Sequence, residues 1–429
     1  MTLSSQPYKG TRDYYPEDKR VQNYIFNTWR SIVERFGYEE YGAPILEPLD
    51  IYAAKSGQEL VNEQTYVFTD RGGRTVAIRP EMTPTISRMV AARRQELPYP
   101  ARLYSIANFM RYERPQRGRE REFWQLNVDI FGVEDTKADI EILTIADAIL
   151  KEFGAKPTDY VIRINNRKLI NYMMVQYLGL DEVQSQQMIK LFDRRDKITE
   201  SDFDEQTTLI FGETNDERTE KVKQLIDAKS IDELPEEVKK AEAVSELSVV
   251  FDSLKKAGVT EAVFDATLMR GLDYYTGTVF EVFDTHPDNN RALFGGGRYD
   301  GLVGMFGAEP ISAVGFAPGN TMMENFLAVR DLLPKASSTS QVYIVVIDDA
   351  LDTANMLATT LRSGGINTEV DITNRKLDKQ IKTVLKKNIP YVIFVGPNDV
   401  DASEFSLKNI ATEQEEKLSI DAIIERLSK

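Results

Sequence analysis

The run Phe109-Met110-Arg111-Tyr112-Glu113-Arg114-Pro115-Gln116-Arg117-Gly118-Arg119-Glu120-Arg121-Glu122-Phe123 decides how this chain is read. Five arginines (111, 114, 117, 119 and 121) stand against three glutamates (113, 120 and 122). Strand-like runs flank the segment at residues 102–109 and 122–130, so it reads as a cationic loop joining two strands over a sheet. The planar guanidinium fork suits phosphate, because it gives bidentate, charge-assisted bonds. Phe123 offers a ring on which a base can stack. A solvated charged hairpin with local salt bridges fits the same spacing, and the spacing leaves both readings open.

Three other stretches invite the same double reading. Arg79-Pro80-Glu81-Met82-Thr83-Pro84 opens a helical pattern over residues 83–92, so Glu81 and Thr83 are either ligand contacts or helix caps. Arg270-Gly271-Leu272-Asp273-Tyr274-Tyr275-Thr276-Gly277 is a ligand clamp or a turn beside core aromatics. Gly295-Gly296-Gly297-Arg298-Tyr299-Asp300-Gly301 lets backbone approach a ligand, or forms ordinary turns.

Composition narrows the chemistry. The 429 residues suffice for roughly three domains. Cysteine is absent, which excludes disulfides, zinc fingers and a thiol nucleophile. The single histidine, His286, sits in a polar loop-like stretch, so two-histidine metal sites are excluded. Carboxylates, arginines, hydroxyls and backbone groups must carry any reaction. The net charge of −15 argues mildly against nucleic acid when the chain is taken whole. Neither a basic-then-apolar leader nor a run of about 18 apolar residues is visible, so a cytoplasmic location and no membrane span are expected.

Periodicity organises the rest. A helix is predicted after Pro16, stopping near Gly37, and Pro44 and Pro48 fit an edge strand. Residues 71–74 read as a hairpin loop, and residues 166–258 as an inserted helical domain. Strands are predicted at 263–269, 276–283 and 312–316, with a helix from Thr321. Residues 334–340 read as a linker. Beyond it comes a βαβαβ pattern whose second helix carries Arg375, Lys376, Lys379, Lys382, Lys386 and Lys387 against Asp378.

Taken together, the order and spacing of these stretches resemble the histidine–tRNA ligases, a family of class II aminoacyl-tRNA synthetases. The resemblance begins at Lys9-Gly10-Thr11-Arg12-Asp13 and runs through residues 37–44, 109–129, 270–275 and 296–302. It implies an α+β catalytic domain with an antiparallel sheet over residues 1–330. A helical insertion at about 170–258 and an α/β anticodon-binding domain over 341–429 complete the expected architecture. The implied activity is ATP-dependent activation of L-histidine to histidyl-adenylate, then transfer of histidine to the 3′ end of tRNA(His). ATP and Mg²⁺ are implied, with no metal site on the protein itself, and so is a homodimer.

The same resemblance implies residue roles. Arg111 and Arg270 match the two arginines that hold the α-phosphate from either side. Glu113 matches the residue reading adenine, and Phe123 the ring stacking under it. Glu81, Thr83 and Gln125 match the residues holding the amino group of histidine. Asp129 and Tyr275 match the pair facing its imidazole, and Tyr299 another wall of that pocket. Gln116 lies where the family meets the tRNA acceptor end. Lys379 and Lys382 are the residues of the basic helix chosen for anticodon-side phosphate contact.

One departure stands out. The family usually ends its third motif in Gly-x-Glu-Arg, where Thr321 and Met322 stand here. Either another cation serves ATP, or ATP use is impaired. Impairment leads to the alternatives. One is a synthetase-like regulatory subunit of ATP phosphoribosyltransferase, whose kind lacks the anticodon-binding part. The other is a non-catalytic RNA-binding paralogue. Retention of residues 341–429, Arg111, Arg270, Glu81 and Gln125 favours the ligase.

Overall fold

The computed structural model describes residues 3–53, 63–116, 118–195, 198–212, 216–269, 274–289, 291–334, 338–399 and 402–428. The chain forms two compact units, Met1–Leu333 and Pro334–Lys429. Part of the expected linker, residues 335–337, lies outside the described residues.

In the first unit a helix spans Pro16–Arg35, with proline in its first turn and Glu17 and Asp18 at its positive end. It buries Ile25, Trp29, Ile32 and Val33. Helix Lys137–Glu152 joins the same core, burying Ile142, Leu143, Ile145, Ala146 and Ile149. These helices cover an eight-stranded sheet. Its strand order is Glu39–Glu40, Ala101–Met110, Glu122–Phe131, Ala313–Phe316, Ala292–Arg298, Thr278–Asp284, Tyr160–Asn166 and Ala262–Phe264. The six central strands are antiparallel, as the resemblance implies. Both edge strands pair in parallel, so the sheet as a whole is mixed. Each parallel pairing is made through a long crossover, as parallel strands require.

A second, three-stranded sheet joins Leu46–Pro48, Thr75–Ile78 and Tyr66–Thr69. Its hairpin turn is fixed by Asp70 Oδ1, which accepts from the backbone N–H groups of Gly72 and Arg74.

Two elements differ from the sequence reading. The strand expected at 263–269 ends at Phe264, because Asp265 Oδ1 accepts from Thr267 N and Oγ1 and turns the chain. The glycine-dense stretch is no turn in its first half but a central strand, Ala292–Arg298. Neighbouring backbones approach it too closely for side chains: a Cβ on Gly297 would stand 2.7 Å from Thr278 O and 2.9 Å from the Tyr275 ring. Arg298 anchors this strand. Its buried guanidinium pairs with Asp139 of the covering helix and donates to Val133 O (2.9 Å) and Asp135 O (2.8 Å).

The insertion runs through helices Arg167–Tyr172, Glu182–Asp193, Glu200–Phe211, Asp216–Asp227 and Glu242–Lys256. Asp181 and Gln184 form a reciprocal capping box, and Thr199 caps the next helix. Met173, Met174, Leu191, Phe203 and Leu247 belong to the same apolar cluster as Trp29 and Ile142, so the insertion shares the main core.

The second unit is a five-stranded sheet ordered Thr368–Val370, Val342–Val346, Tyr391–Val395, Glu404–Asn409 and Glu415–Ser419. The first three strands are parallel, which is the predicted βαβαβ pattern. The antiparallel pair at the other edge and helix Ile420–Leu427 extend it.

Candidate active site

Strand Glu122–Phe131 organises the site. Side chains alternate along a strand, so residues 123, 125, 127 and 129 share one face. Its outer end meets a cavity of about 900 Å³ lined by Arg111, Glu113, Gln116, Phe123 and Gln125. Arg111 Nε donates to Pro80 O (2.9 Å), and its guanidinium lies 5.2 Å from the Phe123 ring centroid. Among the described residues its two Nη groups make no bond to protein. Phe123 rests on Phe109, with centroids 5.9 Å apart.

The cationic loop is built, not merely solvated. Glu113 pairs with Arg119 at 3.1 Å. Gln116 and Arg119 exchange backbone hydrogen bonds of 3.1 and 2.9 Å, and Gln116 Oε1 accepts from Arg291 at 3.4 Å. Gly118 turns the chain at φ +79°, a conformation costly for other residues. Arg121 is a rivet. It is buried, donates to Glu113 O (3.2 Å), Lys9 O (3.3 Å) and Tyr8 Oη (3.2 Å), and lies 4.0 Å from the Tyr112 ring centroid. Its backbone N–H donates to Gly10 O at 2.7 Å, so the N-terminal segment holds the base of the loop. Arg111, Arg119 and Arg121 therefore have separate duties, and Arg117 lies outside the described residues.

Glu81, Thr83, Asp129, Tyr275 and Tyr299 gather below the cavity. Helix Thr83–Ala92 has no side-chain N-cap bond, and Glu81 Oε2 instead accepts from Tyr274 Oη at 3.0 Å. Pro80, which Arg111 touches, directly precedes Glu81, so the two groups of residues adjoin. Burial pushes the Asp129 carboxyl up to about 7, although the hydroxyl of Tyr299 donates to it and works the other way. Burial also raises the Tyr275 phenol, and the nearby carboxylates Glu81, Asp129 and Glu281 raise it further. The Tyr275 ring packs edge-on against Tyr274, 5.1 Å away.

Tyr299 joins the same group. It is 2% exposed, close to the 4% of Asp129 and 5% of Glu81, and its hydroxyl donates to the Asp129 carboxylate. Arg270 lies outside the described residues. Lys379 and Lys382 belong to the second unit, exposed on helix Leu377–Lys387. His286 is a loop residue whose Nδ1 accepts from Asp288 N at 3.2 Å.

Sequence reasoning passed over Tyr274, Arg291 and Gly315. Tyr274 could have been found from its adjacency to Tyr275. Arg291 has no motif around it. Gly315 pairs with Asp129 across two strands, and a Cβ there would overlap the Asp129 carboxylate, which no local pattern reveals.

The sequence profile described as "Histidyl-tRNA synthetase" matches residues 10–320, and the one described as "Anticodon binding domain" matches residues 341–429. A histidine–tRNA ligase of Leptospira biflexa is 38% identical over 431 residues, covering 100% of this chain and 98% of the relative. The chain belongs to the histidyl-tRNA synthetase family. Another ligase, from Haloarcula marismortui, is 37% identical and covers 94% of this chain and 93% of its own length. The crystal structure of histidyl-tRNA synthetase from Nostoc sp. PCC 7120 shares the fold, with a TM-score of 0.85 at 24% identity, covering 100% of this chain and 99% of that one. The same synthetase from S. aureus gives a TM-score of 0.73 at 25% identity, with 99% and 100% covered. A chain from Bacillus halodurans C titled an ATP phosphoribosyltransferase regulatory subunit/histidyl-tRNA synthetase also aligns, with a TM-score of 0.75 at 23% identity over 92% of this chain and 100% of that one. Fold alone therefore does not separate ligase from regulator in the synthetase family. This chain carries both profiles, one on each of its two units.

Proposed function

We propose that this protein activates L-histidine with Mg²⁺–ATP and transfers the histidyl group to tRNA(His). The observation that carries this reading is the end-to-end match to curated histidine–tRNA ligases, anticodon-binding part included. The retained Arg111, Arg270, Glu81 and Gln125 weigh against the regulatory-subunit alternative, and the two arginines against the RNA-binding one. In the first step a carboxylate oxygen of histidine attacks the α-phosphorus, and pyrophosphate leaves. In the second, a hydroxyl of the terminal tRNA ribose attacks the activated carbonyl, and AMP leaves.

In the first step the nucleophile is already an anion, so adenylate formation needs no general base; the protein's task there is to align two anions and stabilise charge on phosphorus. Arg111, with its Nη groups beside Phe123, suits the α-phosphate, and Arg270 is proposed as its counterpart. Glu113 and Phe123 suit adenine. Glu81, Thr83 and Gln125 suit the α-ammonium group. Asp129 and Tyr275 suit the two imidazole nitrogens, the acid accepting an N–H and the phenol donating or accepting. Mg²⁺ is proposed to enter with the nucleotide, held through its phosphates.

Gln116 is proposed to meet the tRNA acceptor end, and Lys379 and Lys382 the anticodon side. The domains proposed are a catalytic domain over 1–330 and an anticodon-binding domain over 341–429. A homodimer fits the small sheet, where Leu46, Val67 and Phe68 are all more than 40% exposed. No helix is long and apolar enough to cross a membrane among the described residues, and a cytoplasmic location is proposed.

The test is histidine-dependent ATP–pyrophosphate exchange. The unaltered protein should exchange, and Arg111→Ala should lose about a hundredfold or more in rate. Histidine binding without any exchange would point instead to the regulatory subunit.

A further inference from the structure

Helix Asn320–Ala328 brings Met322 to the cavity, where the family resemblance leads one to expect a cation. The thioether lies under the loop: a Cβ on Gly118 would overlap Met322 Sδ. Met322 thus packs the loop down and supplies no charge. A triphosphate keeps net negative charge even with Mg²⁺ bound, so cations must come from elsewhere on the lining.

Four described arginines line the cavity: 111, 119, 163 and 291. Arg119 lies 3.1 Å from Glu113, and Arg163 lies 3.2 Å from Asp265 with its face on the Phe283 ring. Arg111 stands at the strand end suited to the α-phosphate. Arg291 comes from another quarter, one residue before the glycine-rich strand Ala292–Arg298. Its backbone is fixed by N–H donation to Asn289 O (2.7 Å) and by acceptance from Asp284 N (3.4 Å). Its side chain is exposed and reaches the loop, with Nη2 3.4 Å from Gln116 Oε1.

We propose that Arg291 binds the distal phosphates of ATP, supplying from the glycine-rich strand the charge that Met322 lacks. A guanidinium fork there can give two N–H bonds to phosphate oxygens while it stays beside Gln116. The bound nucleotide would then bridge the strand and the loop. This site rests on the nucleotide-binding reading above.

Calorimetric titration of the full chain with Mg²⁺–ATP, without histidine, tests it. Arg291→Gln should weaken nucleotide binding about tenfold, and Arg291→Lys should recover most of that, as expected for a charge-assisted phosphate contact. Adding Met322→Arg to Arg291→Gln should restore affinity. Histidine affinity, measured on the same variants, should not move. Unchanged Mg²⁺–ATP affinity in Arg291→Gln would overturn the proposal, as would an equal loss of histidine affinity. Pyrophosphate exchange by the unaltered chain reports separately on the activity. Nucleotide affinity that depends on Arg291 without exchange would keep this site and retract the ligase reading.

Discussion

Gly315 lies directly opposite Asp129 in the central sheet, and its missing side chain is the space the Asp129 carboxylate occupies. The obstacle is not backbone conformation but volume, since even a methyl group would overlap Oδ1. Gly315→Ala must therefore swing Asp129 out of its bond with Tyr299 or push the strands apart. Histidine should lose the partner proposed for its ring N–H. A site built to pair a polar group discriminates strongly once that pairing fails. We expect the KM for histidine in pyrophosphate exchange to rise by about a hundredfold. An unchanged KM would remove Asp129 from the imidazole site.

The same carboxylate makes stability depend on pH. Burial raises Asp129 from 3.8 to about 7 in the folded chain. Between those two values the native state holds a proton that the unfolded chain has released. Its contribution to stability is complete below about pH 4 and is lost as pH rises toward 7. Asp129→Asn keeps an oxygen to accept from Tyr299 and removes the titration. The variant should be the more stable protein at pH 8, by at most about 4 kcal/mol, and should approach the unaltered protein near pH 4. Denaturant unfolding at both pH values checks the crossover. Histidine affinity should fall at pH 8 in the same variant.

How much of this was legible in the sequence depends on how local each signal is. Helix Thr83–Ala92 and the long strands Ala101–Met110 and Glu122–Phe131 were readable because their apolar periods and flanking prolines or charges act within a few residues. The glycine-rich strand was not, because its glycines answer to backbones from two neighbouring strands, not to a turn of their own. Asp265 ended its strand through a side-chain bond that leaves no periodic trace. In the site, residue types pointed to phosphate and imidazole chemistry, but the division of labour did not show. Arg121 reads like its neighbours and is a rivet, and the bond from Tyr299 to Asp129 leaves no trace in the sequence. Arg291 carries no pattern at all, and only the folded sheet brings it to Gln116.

The basic helix Leu377–Lys387 offers the last test, and the structure narrows which of its charges matter. Gln380 and Val384 form its buried side, and Gln380 Nε2 donates to Val346 O at 2.8 Å. Arg375 is not available to a partner in the way its sequence position suggests. It lies 2.6 Å from Asp371, whose carboxyl burial alone would raise; hydrogen bonds from Thr373, Tyr343 and Arg375 instead hold it at about 2. Lys387 pairs with Glu369. Lys376, Lys379, Lys382 and Lys386 remain exposed. Lys379 and Lys382 are three apart, so they share a helix face. Reversing both to glutamate should leave the unit folded, because neither packs in its core. It should weaken tRNA(His) binding by about tenfold or more and flatten the salt dependence of the affinity. Histidine-dependent pyrophosphate exchange should be unaffected, since no step of adenylate formation needs this helix. Filter binding across a salt series, paired with the exchange assay, separates the two effects. Equal tRNA affinity of the two proteins at low salt would place the RNA on another face of this unit.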